Sequence, residues 1–251
     1  MIPRALAGTL ALAACLALPA AAAAAGTSAR MSAAFIPERL GAPTTVSFAF
    51  QVADGGLAPA PLTGITLTYP RGLGLATSDL GIMACPPLAL ETSDPAACPT
   101  DSRMGAGSAT VEIAFGPYLV PEQVTLTLFA GPSTDGYLHL LIYARGETPV
   151  QAGVVMTAVL ARGQIAITVP PIPSLPEAPY VSVTEMHITL GGNLTYYETV
   201  HGRSIPYHPA GISLPDTCPR GGFRFASRLA FLDGESASTR TVVACPSSHG
   251  G

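Results

Sequence analysis

The densest group of side chains that could bind a ligand lies within residues 196–208, YYETVHGRSIPYH. Its tyrosine rings could stack on a sugar, and its carboxylate and imidazole groups could coordinate a metal ion. The separation of its two histidines matches no standard zinc-ligand spacing, so we predict no metal site. An ordinary surface hairpin would have a similar composition. The candidate ligand-binding residues in this segment are Tyr196, Tyr197, Glu198, His201, Tyr207 and His208.

A second candidate surface consists of arginines near the C-terminal end, of which Arg224 and Arg228 are the ligand-binding candidates. Arg220 and Arg240 could extend the same row on the outer face of a hairpin. A basic row on an otherwise acidic protein could bind an anionic glycan. The same row is also typical of an edge strand that charge protects from pairing with other chains.

No combination of residues indicates catalysis. Gly105-Ala106-Gly107 lacks the third glycine of a dinucleotide-binding loop and precedes a strand rather than a helix, so we interpret it as a turn. The chain has no G-x-S-x-G nucleophile motif, and His139 and His187 fall within predicted strands. The paired carboxylates of a glycosidase leave no mark in a sequence, but the chain also lacks tryptophan, on which sugar-active clefts usually rely. We therefore predict no catalytic residue, no cofactor and no enzymatic activity.

The first 25 residues are typical of an export signal. A short basic start is followed by an apolar run that Pro19 ends, and an alanine-rich tail offers small-residue cleavage sites before Gly26. The run is shorter than the roughly 20 residues that a membrane-spanning helix needs. An alternative is lipidation at Cys15, because residues 12–15, LAAC, resemble a bacterial lipobox. We predict a secreted or cell-surface protein with no transmembrane segment once the signal is removed.

The charge balance argues against one class of partner. The chain has a formal net charge of −4, and only 11% of its residues are charged. Proteins that bind nucleic acids usually carry a basic patch or stripe, and no block of basic residues occurs in this sequence. We therefore predict no nucleic-acid partner.

Cysteine usage predicts disulfide bonds. Four cysteines follow the predicted signal: Cys85, Cys98, Cys218 and Cys245. An even number in an exported protein is typical of disulfides, whereas the short spacing of a zinc site is absent. Three connectivities are possible, and proximity along the chain favours Cys85–Cys98 with Cys218–Cys245.

Alternation of apolar and polar residues predicts that β-strands position these groups. In residues 44–53, TTVSFAFQVA, one face is consistently apolar. Residues 138–143, LHLLIY, are apolar on nearly both faces, which predicts a central strand covered on two sides. Further strands are predicted at 63–69, 108–115, 123–130, 153–160, 164–169, 181–190, 222–232 and 237–244. The predicted fold class is all-β: an antiparallel β-sandwich of about nine to eleven strands, immunoglobulin-like or jelly-roll-like, with two disulfides and at most short helical turns.

Two local patterns predict details within these strands. Residues 181–190, VSVTEMHITL, change apolar phase partway along, and a β-bulge near Thr184-Glu185 would restore a single apolar face. Asp233-Gly234 lies between the last two strands and predicts a two-residue hairpin turn.

Proline and glycine content indicates the boundaries of the folded region. Residues 26–41 are predicted to be a flexible lead-in, and residues 247–251 a flexible tail. The strongest internal boundary signal is residues 170–179, PPIPSLPEAP, because prolines favour an extended conformation and cannot join the interior of a sheet. We interpret it as a strap within a single β-sandwich domain, residues 42–246. The alternative is two β domains, at 42–169 and 180–246.

Four segments together resemble one protein family. They are ITLTYPRGL (65–73), CPTDSRMGAGSATV (98–111), TVPPIP (168–173) and CPRGGFRFASRLAFLDGESAS (218–238), the last followed by Cys245. Their order is similar to that of uncharacterised secreted β-sandwich proteins of high-GC, actinobacteria-like bacteria. The resemblance implies a secreted scaffold. It implies no activity and no site residues, since the shared motifs are turns, strands and cysteines.

Three functions agree with this sequence. The first is a secreted, non-enzymatic structural or interaction module of the cell envelope or extracellular medium. The second is a glycan-binding module that uses residues 196–208 or the arginine row. The third is an exported hydrolase, whose paired acidic residues a sequence cannot reveal. In the first two cases the partner would be a cell-surface glycan or protein.

Overall fold

Alternating apolar and polar residues form β-strands along most of the chain that the structure describes. The computed structural model describes residues 26–76, 83–115, 118–149, 151–161, 163–173, 180–191 and 195–246. The strands are β1 (Ser28–Ile36), β2 (Pro43–Ala53), β3 (Leu62–Thr68), β4 (Gly74–Ala76), β5 (Arg103–Phe115), β6 (Tyr118–Ala130), β7 (Leu138–Gly146), β8 (Ala152–Ala161), β9 (Gln164–Thr168), β10 (Ser182–Leu190), β11 (Tyr196–Val200), β12 (Arg203–Tyr207), β13 (Gly211–Ser213), β14 (Phe223–Phe231) and β15 (Ser236–Val243). The predicted signal, the possible lipidation site, the C-terminal tail and residues 174–179 of the strap lie outside the described residues.

Thirteen of these strands form one antiparallel sheet. Hydrogen-bonded neighbours follow the order β15-β14-β3-β9-β8-β7-β6-β5-β10-β2-β13-β4, and β1 pairs with β2. Because β1 also lies beside β15, the sheet curls around a shared interior, and opposite parts of it face each other. The strands β11 and β12 form a separate antiparallel hairpin. The predicted all-β, antiparallel fold class is confirmed.

Inward-facing side chains of the curled sheet form the main core. In β14, buried residues alternate with exposed or half-buried ones, as the two-residue period of a strand requires. The ring of Phe35 in β1 packs edge-on against Phe223, with centroids 5.1 Å apart. Phe48 of β2 packs in the same way against Phe225, at 5.3 Å. These contacts join the first two strands to β14, and each fully buried ring contributes roughly 1.5–3 kcal/mol.

Both disulfides that sequence proximity favours are present. The Cα atoms are 4.9 Å apart in Cys85–Cys98 and 5.9 Å apart in Cys218–Cys245. Disulfides form and persist in oxidising environments. The bonding is therefore typical of a protein that resides outside the cytoplasm.

Helical structure in the described residues is confined to short turns, as predicted. They are α1 (Pro87–Thr92) and two single turns of 3-10 helix, Pro95–Ala97 and Thr100–Ser102. None of the described helices has the length and apolar content needed to cross a membrane.

The loop closed by Cys85–Cys98 covers the outer face of β7. Leu141 of β7 and Phe129 of β6 form a second buried cluster with Leu90 of α1 and the two cysteines. The neighbouring Leu140 and Ile142 point the other way, into the main core. The prediction of a central strand covered on both sides is therefore confirmed.

The predicted flexible lead-in is wrong for Ser28–Ile36, which forms β1. Its alternation is weak because most of its residues are small, but Met31 and Phe35 are buried in the main core. Pairing with β2 along the whole strand supplies its backbone hydrogen bonds. The described residues contain fifteen strands, more than predicted. The additional ones are β1, the three-residue β4 and β13, and the hairpin strands β11 and β12.

The predicted turn at Gly105-Ala106-Gly107 is also wrong, because these residues lie within β5, between β6 and β10. A Cβ atom at Gly105 would collide with the carbonyl oxygen of Thr189, and one at Gly107 with that of His187. Glycine is required here by the close approach of the β10 backbone.

The last hairpin turns through three residues rather than the predicted two. Ala230 pairs with Ser236, and the Phe231 amide donates to the Glu235 oxygen at 3.1 Å. Gly234 has a φ of 87°. A left-handed glycine at the end of the loop is typical of three-residue hairpins.

Strands on both sides of the proline-rich strap belong to the same sheet. Before the strap lie β2, β3 and β5. After it, β10 pairs with β2 and β5, and β14 pairs with β3. The predicted β-bulge is present, since the register of β10 on β5 shifts between Val183 and Glu185.

Candidate functional site

Residues 196–208 contain the hairpin β11–β12. A hairpin was the alternative interpretation of this segment from its sequence. Tyr196 pairs with Tyr207 at the open end of the hairpin. His201 and Gly202 form its turn, with φ of 50° and 76°, as in the two-residue type I′ turns that suit β-hairpins. This register determines which candidate side chains share a face.

The three tyrosines of the hairpin do not form a common stacking surface. Tyr207 is buried, and its hydroxyl donates to the backbone oxygens of Asp101 (2.9 Å) and Arg103 (3.2 Å). The guanidinium of Arg103 lies over the ring of Tyr196, 4.8 Å from its centroid. Tyr197 points to the opposite face and is 68% exposed. A sugar would therefore meet one of these rings rather than three.

The three side chains that could in principle have coordinated a metal ion, Glu198, His201 and His208, do not converge. His201 lies at the turn, whereas His208 follows the far end of β12, a five-residue strand that rises about 3.3 Å per residue. The Nδ1 atom of His208 lies 3.4 Å from the hydroxyl of Thr195, and Glu198 lies within β11. Within the described residues, no group of three or more His, Cys, Asp or Glu side chains could hold a metal ion.

Sequence reasoning missed a buried acidic residue beside the hairpin. Asp101 is 4% exposed, and its Oδ1 atom has no hydrogen-bond partner in the described structure. Burial raises the pKa of Asp101 above its ordinary value of 3.8, and the nearby carboxylate of Glu198 raises it further. A hydrogen bond to backbone opposes these two effects. The surrounding sequence is a polar loop, so no periodic pattern indicated that this side chain is buried.

The arginine row exists on the outer face of the last two strands. Arg224 and Arg228 are exposed on β14, as predicted. Arg240 of β15 pairs with Ala226 and so lies between them on the same face. The one ion pair found among the described residues lies at the end of β7. The three guanidinium groups therefore have no carboxylate partner within the described structure.

Three cavities of the described structure lie in a row inside the curled sheet. Their volumes are about 80, 30 and 110 Å³. Ile142 and Met186 line both the first cavity and the middle one. Phe48 and Leu67 line both the middle cavity and the third. The three cavities are therefore adjacent, and their lining is almost entirely apolar.

Small inward-facing residues create the first cavity. Ala109, Ala144, Gly146 and Ala152 line it on β5, β7 and β8, where larger side chains would fill the space. Protein interiors normally pack as densely as organic crystals and contain few voids larger than a water molecule. Apolar cavities with a few polar groups are typical sites for small molecules.

One charged side chain, Glu122, lines the first cavity. It is 4% exposed, and its Oε1 atom has no hydrogen-bond partner within the described residues. The alternation of β6 places Glu122 on the inner face with Val124 and Leu126. A carboxylate at an apolar position of a strand was a signal available in the sequence. It was missed because the predicted strand began one residue later.

The comparisons with known proteins identify no relative of this chain. No protein-family model, no curated protein and no solved structure matches it.

Proposed function

We propose that this chain is a non-enzymatic binding module, exported from the cytoplasm, that holds a linear apolar molecule inside its curled sheet. The observation that carries the proposal is the row of three adjacent apolar cavities. Export is supported by the signal-like first 25 residues and by the two disulfides.

The shape of the row favours an alkyl or acyl chain over a compact ligand. The middle cavity, of about 30 Å³, is smaller than those on either side. At one end the lining includes the partly exposed Ile172 and Val181, and at the other the exposed Leu75. A flexible chain that enters at either end could extend through the small middle cavity. Each methylene group that leaves water contributes about 0.8 kcal/mol.

Titration with neutral n-alcohols tests the proposal. Calorimetry on the purified protein would compare butanol, hexanol, octanol and decanol. We expect the affinity to rise about fourfold per added methylene, the equivalent of about 0.8 kcal/mol, and to stop rising once the row is full. If octanol and decanol do not bind, the proposal is wrong.

A cavity-filling variant locates the bound chain. Ala144→Leu adds apolar volume to the first cavity and should weaken octanol binding about tenfold or more, because it overfills the liganded interior. Ala166→Leu is the matched control, since Ala166 is exposed on β9. If both variants weaken octanol binding equally, or if neither weakens it, the bound chain lies outside the row.

A second candidate function, binding of an anionic glycan, is favoured by the arginine row. Alginate, a carboxylated polysaccharide, is a suitable probe because its charge complements Arg224, Arg228 and Arg240. Arg224→Ala with Arg228→Ala should weaken binding, and the weakening should diminish at high salt. Arg71→Ala, at an exposed turn, is the control, and Tyr197→Ala tests the hairpin. Alginate binding that survives the double arginine variant would exclude this surface.

A further inference from the structure

We propose that Glu122 is a head-group site at one end of the interior and that it selects amphiphiles carrying a primary ammonium group. The inference rests on the proposed function, because it assumes that the alkyl chain occupies the row of cavities. It adds the chemical class of the ligand: an alkylamine-like molecule whose chain lies in the row and whose nitrogen contacts the Glu122 carboxylate.

The position of Glu122 supports this role. It pairs with Val111 of β5, which also lines the first cavity together with Val181 and Val183 near the start of β10. The carboxylate therefore lies at one end of the row, beside the end that Val181 and Ile172 line. A chain extending from it towards the middle cavity would contact only apolar side chains.

The Oε1 atom of Glu122 lacks a hydrogen bond within the described residues, which indicates that the ligand supplies a hydrogen-bond donor. The large majority of buried side-chain polar atoms in folded proteins have a hydrogen-bond partner, whereas the Oε1 atom of Glu122 has none in the described structure. A buried carboxylate without a partner is costly, and a cation placed against it offsets that cost. A ligand that supplies the missing donor would bind where the folded protein leaves the group unsatisfied.

A primary ammonium fits better than the other common head groups. It provides three donors and a positive charge, and hydrogen bonds between charged groups are the stronger ones. A hydroxyl provides one donor and no charge. A fatty-acid carboxylate would meet Glu122 with like charge, and no basic side chain lines the described part of this cavity to neutralise it.

Three ligands with the same chain and different head groups test the inference: octylamine, octanol and octanoate. Calorimetry with the wild-type protein should give octylamine about tenfold tighter binding than octanol, the usual size of a charged hydrogen bond, and octanoate the weakest binding. In Glu122→Gln, octylamine should bind no tighter than octanol, because its ammonium group would be buried without a counter-charge.

Glu112→Gln is the matched control variant. Glu112 lies on β5, next to the cavity residue Val111, and points to the opposite face of the strand. It should keep the wild-type preference for octylamine. Both substitutions remove one negative charge and so change the overall electrostatic potential of the protein similarly. If only Glu122→Gln loses the preference for octylamine, the cause is direct contact with the Glu122 carboxylate.

The outcomes distinguish the two proposals. If all three ligands bind but octylamine has no advantage, or keeps its advantage in Glu122→Gln, the head-group inference is wrong and the proposed function stands. If none of them binds, the proposed function itself is wrong. If Glu122→Gln fails to fold, the wild-type ranking and Glu122→Asp remain, and this shorter carboxylate should still prefer octylamine to octanol.

Discussion

At the scale of single residues, two carboxyl oxygens are buried without a hydrogen-bond partner in the described structure. They are the Oδ1 atom of Asp101 and the Oε1 atom of Glu122. Their surroundings differ: Asp101 lies near the carboxylate of Glu198, whereas Glu122 faces an apolar cavity. Glu122 can therefore be satisfied by a ligand, whereas Asp101 is satisfied most simply by a proton.

Substitution of Asp101 should reveal this difference through the pH dependence of stability. Its folded-state pKa is raised above 3.8, so the folded chain binds the proton more tightly than the unfolded chain does. The contribution of Asp101 to stability is thus fully present below pH 3.8 and is lost as the pH rises through the folded-state pKa. Asp101→Asn should be more stable than the wild type at pH 7, and the difference should shrink towards pH 4. Urea denaturation at several pH values measures it.

The control for this measurement is Asp135→Asn, at an exposed turn. Asparagine tolerates the left-handed backbone found at Asp135, so the control should show little difference from the wild type at any pH. A stability gain for Asp101→Asn that is the same at pH 4 and pH 7 would contradict the assignment.

The sequence predicted some site residues and missed others for a physical reason. Alternation placed Arg224 and Arg228 on an outer face because they share one phase of a nine-residue strand whose other phase is mostly large and apolar. Tyr207 was grouped with Tyr197 because five-residue strands alternate too briefly to show which face is covered. Tyr207 is buried against the segment that contains Asp101 and Arg103, which lies about a hundred residues away in the chain. The local sequence pattern contains no information about such long-range contacts.

At the scale of elements, the close approach of β5 to β10 explains Gly105 and Gly107, whose pattern was interpreted as a turn. Gly107→Ala should destabilise the fold by about 1–3 kcal/mol, the usual cost of overpacking, because the added Cβ would collide with the carbonyl oxygen of His187. Thermal or urea denaturation measures the loss. Ala106→Ser, at the adjacent exposed position, should cost much less. Equal stability of Gly107→Ala and the wild type would show that the two strands are further apart than described.

The two disulfides stabilise different kinds of element. Replacing both cysteines of either pair by serine should cost about 3 kcal/mol, through the entropy of the unfolded chain. Loss of Cys85–Cys98 should in addition loosen the loop that covers Phe129 and Leu141, and so increase the fluorescence of a dye that binds exposed apolar surface. Loss of Cys218–Cys245, whose cysteines are not part of that cluster, should not. Unchanged dye binding in both variants would mean that the loop keeps its place without the bond.

At the scale of the whole molecule, most of the longer strands were predictable and the strand order was not. A period of two indicates which residues face inward, but it does not indicate which strands are neighbours. The proline-rich strap therefore allowed one domain or two. Pairing of β10 with β2 and of β14 with β3 depends on matching apolar faces across long separations. The interior cavities were not predictable either, because they depend on the combined size of residues from different strands, such as Ala109 and Ala144.

We expect the curl of the sheet to depend on β1, one of the strands that the sequence did not indicate. Deletion of Ser28–Ile36 removes the buried Met31 and Phe35, worth roughly 1.5–3 kcal/mol each. It also leaves the edge of β2 unpaired and removes the strand beside β15. Unpaired edges are templates for association with other chains, so the deletion should lower stability and increase the mass measured by light scattering. Phe35→Ala separates the two effects: it should cost about 3–5 kcal/mol without a change in mass, because the strand still covers the edge. A deletion variant with wild-type stability and mass would show that β1 does not close the sheet.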